Sequence, residues 1–298
     1  MRTLGRIGLF VLTNFLIFAT ISIVLNILGV GHYISASGLD YQALFVFCLV
    51  WGMVGSLISL QFSRWMAKSF HGVKVINPDS PGSYAGLVQM VHHLSQQAGL
   101  PKMPEVGIYE SPTVNAFATG PSKRRSLVAF STGILQHMNR DELEGVAAHE
   151  IAHIQNGDMV TMTLLQGVVN AFVMFFSRII SFVISERVNE DYRYMTRMLV
   201  TMFLEIIIGM LGVLLVAWFS RHREFKADAG SAKLAGREKM IAALESLKRL
   251  QTVGAQFAQH EPASMSAFKI SSGKKGRAIW STHPPLEDRI EALKTFKN

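Results

Sequence analysis

Ala147-Ala148-His149-Glu150-Ile151-Ala152-His153 is the most informative stretch of this 298-residue chain. On a helix, residues four apart share a face, so His149 and His153 can reach one metal ion together. Glu150, beside His149, can reach a water held by that ion. Zinc suits such a set, because nitrogen ligands and a carboxylate leave a fourth position open. Such an ion brings the pKa of its water to about 7 and polarises a carbonyl. Glu150 would then take the water's proton and pass it to a leaving amine.

Working outward, a helix start is legible at Asn139, with Glu142 three residues on in a capping-box pattern. Gly157 is the matching stop. The small residues Val146, Ala147 and Ala148 allow this helix to be buried. A third ligand is needed, and Arg223-Glu224-Phe225-Lys226-Ala227-Asp228 offers two carboxylates four apart. Glu224 is placed to bind the metal. Asp228, one turn on, is placed to accept a hydrogen bond from His149 and fix its tautomer. The plain alternative for both carboxylates is a solvated charged face.

The composition points to a membrane. Hydrophobic residues make up 49% of the chain and charged residues only 17%, against about 25% charged in ordinary soluble domains. Mean hydropathy is +0.28. The net charge is +8. Many of the basic residues flank apolar runs instead of lining one groove, so nucleic acid is not an expected partner. The single cysteine, Cys48, excludes an intramolecular disulfide.

Four apolar runs are long enough to span a bilayer: 7–29, 42–62, 159–184 and 198–219. The first exceeds the hydrophobic core of a cleaved signal peptide and reads as an uncleaved anchor. Arg2 and Arg6 precede it, Arg64, Lys68 and Lys74 follow the second, and 30–40 between them has no Lys or Arg. The positive-inside rule therefore puts both outer flanks in the cytoplasm. The third and fourth runs contain Arg178 and Glu205, at similar depths if the two cross as a hairpin, so these residues are expected to pair. Arg187, Arg193 and Arg197 in the connection argue against an outside loop, and leave open a pair that lies on the membrane face without crossing.

The rest reads as soluble. A helix carries Tyr84, Leu87, Val88, Val91 and Leu94, with His92 and His93 on its solvated face. Strands are expected at 106–109 and 126–131, with the basic turn Lys123-Arg124-Arg125 before the second. A helix follows through Met240, Leu244 and Leu247, then a loop over 254–280 and a final helix opened by Pro285.

HEIAH at 149–153, the apolar pairs on either side, EFKAD at 224–228 and STHPPLEDRI at 281–290 together resemble the HtpX membrane metalloproteases, relatives of the CAAX prenyl proteases. The resemblance covers nearly the whole chain. It implies a gluzincin-type fold, α+β and mainly α, with about four transmembrane helices. The parts would be an N-terminal hairpin (1–66), a catalytic domain in two pieces (67–158 and 220–298), and the second apolar pair (159–219). It implies one zinc ion held by His149, His153 and Glu224, with Glu150 as base and Asp228 supporting the first histidine. It further implies the bacterial inner membrane, with the catalytic domain and both termini cytoplasmic, and misfolded or damaged membrane proteins as substrates. Asn115-Ala116-Phe117 and the strand around Leu127, Val128 and Ala129 lie where such proteases hold an extended substrate. His283 is a candidate donor to the developing oxyanion, or simply packs beside the following helix. A zinc-binding scaffold without turnover is the competing class, though a scaffold has no use for Glu150. A metal transporter would place its ligands inside the spans, where these histidines are not.

Overall fold

A computed structural model of the chain describes Ile23, Ile27 and residues 34–35, 38–257 and 283–296. The first apolar run, apart from Ile23 and Ile27, and most of the expected loop over 254–280 lie outside these residues.

The described chain is mainly helical with a small sheet. After a two-stranded ribbon, β1 (Ile34–Ser35) and β2 (Gly38–Leu39), comes the long helix α1 (Tyr41–Phe70). Then follow β3 (Lys74–Val75), α2 (Ala85–Gln97), β4 (Glu105–Tyr109), β5 (Ala116–Ser122) and β6 (Arg125–Ser131). The helices α3 (Thr132–His137), α4 (Arg140–Asn156), α5 (Asp158–Ser185), α6 (Glu190–Ala235), α7 (Arg237–Phe257) and α8 (Leu286–Thr295) complete it. The chain forms two compact units, one of residues 1–61 and 161–216, the other of 62–160 and 217–298.

In the first unit, α1, α5 and α6 are each long and apolar enough to cross a membrane. Large apolar side chains point outward along them: Phe172, Phe203, Ile206 and Leu211 are all exposed. Apolar surface of this extent is stable against lipid and not against water. The expected pair forms: Arg178 Nη1 donates to Glu205 Oε1 at 2.9 Å. The same nitrogen lies 3.3 Å from the Met174 carbonyl, and the guanidinium sits 5.6 Å from the centre of the Phe47 ring. Two of the arginines expected in the α5–α6 connection are paired locally. Glu186 lies 3.1 Å from Arg197 and 3.7 Å from Arg193.

The second unit is built on a four-stranded sheet in the order β3-β4-β6-β5, with β4 and β6 parallel and the other pairs antiparallel. Leu87, Val91 and Leu94 of α2, Val106 of β4, Val128 and Phe130 of β6, and Ile151 and Ile154 of α4 form one core. α4 is therefore clamped between a helix and the sheet. Its start is as read from the sequence: Asn139 accepts from the backbone N–H groups of Asp141 and Glu142, and Glu142 Oε2 accepts from the Asn139 N–H at 3.0 Å. Its end is Gly157 at φ 75°, a left-handed cap that a side chain would strain.

Three readings change. β5 is a strand that the sequence reading does not contain, and it forms the edge of the sheet. α7 continues through Phe257, over the first residues expected as loop. The strand carrying Leu127, Val128 and Ala129 is paired on both sides, by β4 and β5, and these three side chains are fully buried. It has no free edge to which another strand can add.

Candidate metal centre

The sequence-predicted ligands converge within the second unit. His149 and His153 lie one turn apart on α4, and Glu224 reaches them from α6. One ligand atom from each falls within 4.8 Å of the other two. The Nε2 atoms of the two histidines are 3.0 Å apart. Glu224 Oε2 lies 3.5 Å from His149 Nε2, and Glu224 Oε1 lies 3.4 Å from His153 Nε2. All three side chains are buried.

Close helix packing makes this possible. A Cβ at Gly230 of α6 would stand 2.8 Å from Ala152 Cβ of α4, so only glycine fits the approach. Next to it, Ser231 Oγ donates to the Gly145 carbonyl of α4 at 2.9 Å.

A carboxylate stands at the outer end of each imidazole. His153 Nδ1 lies 2.6 Å from Asp158 Oδ2. His149 Nδ1 lies 2.9 Å from Asp228 Oδ1, with its N–H direction off that line. With a proton on each Nδ1, both Nε2 lone pairs point into the same space. Glu224 Oε1 is also buried without a hydrogen bond among the described residues. Arg223 Nη2 lies 3.5 Å from that oxygen, and two lone pairs facing a carboxylate oxygen still favour a cation between them. A nitrogen, nitrogen and oxygen donor set with the imidazole tautomers fixed fits a zinc-type ion.

The electrostatics agree. Burial opposes a charged His149, yet the Asp228 and Glu224 carboxylates outweigh it and push its pKa up to about 9. Burial likewise disfavours the Glu224 carboxylate, and the surrounding histidines hold its pKa far below the usual range. The cavity is therefore built to hold positive charge.

Two participants were not identified in the sequence. Asp158, just past the left-handed cap, folds back onto His153. Arg289 of α8 forks onto Asp228, with Nε–Oδ2 at 2.7 Å and Nη2–Oδ1 at 2.6 Å, and its Nη1 lies 3.6 Å from Glu224 Oε2. Burial works against the charge on Asp228, but Arg289 prevails and keeps its pKa below the ordinary value. The only sequence signals were an acid directly after the cap and an arginine within an otherwise amphipathic terminal helix.

Glu150 is buried between the ligands, and no ion pair with Lys or Arg engages it among the described residues. His283 comes from the same end of the chain as Arg289, and its Nδ1 lies 2.9 Å from Glu224 Oε2. In this arrangement the ring is turned to the third candidate ligand. Ala116 and Phe117 lie on the edge strand β5, and Ala116 and Ala118 pack against the core that includes Val146 and Ile151 of α4. Asn115 precedes β5 and is tied to β6, its N–H donating to Ser131 Oγ at 3.1 Å.

An HExxH-type helix, a carboxylate ligand from a later helix and long apolar helices define a membrane metalloprotease. The chain belongs to peptidase family M48, whose family model matches residues 83–297. It is 54% identical over 295 residues to "Protease HtpX homolog" of Bacillus velezensis, covering 97% of this chain and 98% of that protein. It is 47% identical over 298 residues to "Protease HtpX" of Acinetobacter baylyi, covering 97% of each. Among solved structures it resembles Ste24p of S. mikatae, with a TM-score of 0.60 at 18% identity, over 84% of this chain and 58% of that longer one. That last likeness concerns the fold.

Proposed function

We propose that the protein is a zinc endopeptidase that cleaves misfolded or damaged membrane proteins at the cytoplasmic face of a bacterial inner membrane. The observation that carries this reading is the convergence of His149, His153 and Glu224 within 4.8 Å, with the two imidazoles held from behind by Asp228 and Asp158. When bound, zinc supplies an acidified water and a Lewis-acid contact for the scissile carbonyl.

The protein's own groups do the rest. Glu150 takes a proton from the attacking water on its carboxylate and delivers it to the leaving amide nitrogen. Asp228 and Asp158 keep the Nδ1 protons in place, so that both Nε2 atoms stay available. The edge strand β5, beside α4, supports an extended substrate through main-chain hydrogen bonds, with Asn115, Ala116 and Phe117 at its start. Such contacts read no particular side chain, which suits a quality-control protease. The cytoplasmic placement rests on Arg2, Arg6, Arg64, Lys68 and Lys74 flanking the first two apolar runs.

The test is incubation of the purified full chain with unfolded casein and zinc. Cleavage should stop with a chelator and fall by at least about 10²-fold in Glu150→Gln, since a positioned base contributes about 10²–10⁴. Undiminished cleavage by Glu150→Gln would refute the assigned base. Metal binding with no cleavage by the wild type would favour a scaffold.

A further inference from the structure

The turn between β5 and β6 carries three consecutive cations, Lys123, Arg124 and Arg125, all exposed. Ser122 and Arg125 are register partners, so Lys123-Arg124 is a two-residue hairpin connection. Such connections favour Asn-Gly and similar pairs that adopt positive φ readily. Here two long cations stand in their place. No carboxylate pairs with any of the three among the described residues.

Their location gives the charge a direction. A Cβ at Gly157 would stand 3.7 Å from Lys123 Cε, so the Lys123 stem lies against the start of α5. The apolar run of that helix begins at Met159, two residues on, or about 3 Å along the helix axis. Lys123 thus lies beside the point where α5 enters its apolar stretch, and a bilayer surface at that boundary would be within a Debye length of about 10 Å. Basic clusters at such positions are drawn to anionic headgroups, while neutral lipid offers them nothing.

We propose that Lys123, Arg124 and Arg125 form a contact for anionic phospholipid headgroups and fix the β5–β6 hairpin against the membrane. The contact is independent of the peptidase chemistry. Because β5 is the edge of the sheet, it also sets how that edge is presented to the bilayer.

The experiment uses the full chain in vesicles. Cys48→Ser removes the single native thiol, and Ser122→Cys carries a fluorophore next to the turn. Vesicles of phosphatidylcholine alone are compared with equal parts phosphatidylcholine and phosphatidylglycerol, each doped with a headgroup quencher. Quenching should be strong only with phosphatidylglycerol and should fade as salt is raised. It should fall by about tenfold or more when Lys123→Gln, Arg124→Gln and Arg125→Gln are combined. The charge-keeping combination Lys123→Arg, Arg124→Lys and Arg125→Lys should retain it, which separates charge from misfolding. Equal quenching in neutral vesicles, or full quenching in the glutamine variant, would overturn the proposal.

Discussion

Arg289 grips both carboxylate oxygens of Asp228, at 2.7 and 2.6 Å, and Asp228 in turn stands 2.9 Å from His149 Nδ1. The first candidate ligand is therefore braced from α8, through one carboxylate.

Arg289→Met leaves a buried carboxylate without its partner, which typically costs about 3–5 kcal/mol. Asp228 then swings freely or takes up a proton, and metal affinity should weaken by about 10–100-fold. Chelator competition on folded protein measures this. Arg289→Lys should recover part of the affinity, since one ammonium replaces a two-pronged fork. The pair Asp228→Asn with Arg289→Met should be more stable to heat than Arg289→Met alone. A double variant no more stable than that single one would show that the unpaired charge was not the cause.

Asp158→Asn tests the support of the second histidine. Asp158 Oδ2 is 2.6 Å from His153 Nδ1, so its loss should also weaken metal binding by about 10–100-fold. Asn139→Ala, at the N-cap of the same helix, should reduce stability by about 1 kcal/mol and leave metal affinity nearly unchanged. The contrast separates support of a ligand from support of the helix.

Gly230→Ala sets two effects against each other. Alanine favours a helix by about 1 kcal/mol over glycine. The added Cβ would lie 2.8 Å from Ala152 Cβ, which forces α6 away from α4, and overpacking of this kind costs about 1–3 kcal/mol. The expected result is a lower melting temperature in detergent together with weaker metal binding, because Glu224 rides on the displaced helix. At Gly209 an added Cβ would meet nothing within 4 Å, so that position should accept alanine without loss.

The Arg178–Glu205 pair predicts a charge swap. Arg178→Glu and Glu205→Arg should each lower thermal stability in detergent, since a charge within a span needs a partner. The double swap should restore most of it, but not all. The Phe47 ring and the Met174 carbonyl both face the guanidinium at its present position, and a carboxylate there gains nothing from either. Melting curves of the four proteins decide it.

The ligands were legible because their geometry is local. His149 and His153 share a helical face whatever surrounds them, and Glu224 and Asp228 repeat that spacing. The caps of α4 were legible for the same reason. Asp158 and Arg289 were not, because each becomes part of the site only through chain reversal or long-range packing. Leu286 and Ile290 pack α8 into a cluster with Met240 and Leu244, and that long-range packing brings Arg289 to Asp228. β5 was hidden by Gly120-Pro121 and small residues that blur the alternation of a strand. From sequence alone the substrate is therefore expected on Asn115, Ala116 and Phe117 together with β6, and β6 has strands on both sides. α6 outran its apolar stretch because no proline stops it before Ala235.

The route by which Arg289 reaches the site also sets an order in time. His149 and His153 leave the ribosome first, the helices α5 and α6 follow, and Arg289 comes after all of them. A nascent chain thus has its histidine pair before it has the group that steadies the first of them. Domains assemble as synthesis proceeds, so the brace that Arg289 gives Asp228 forms only once α8 has docked.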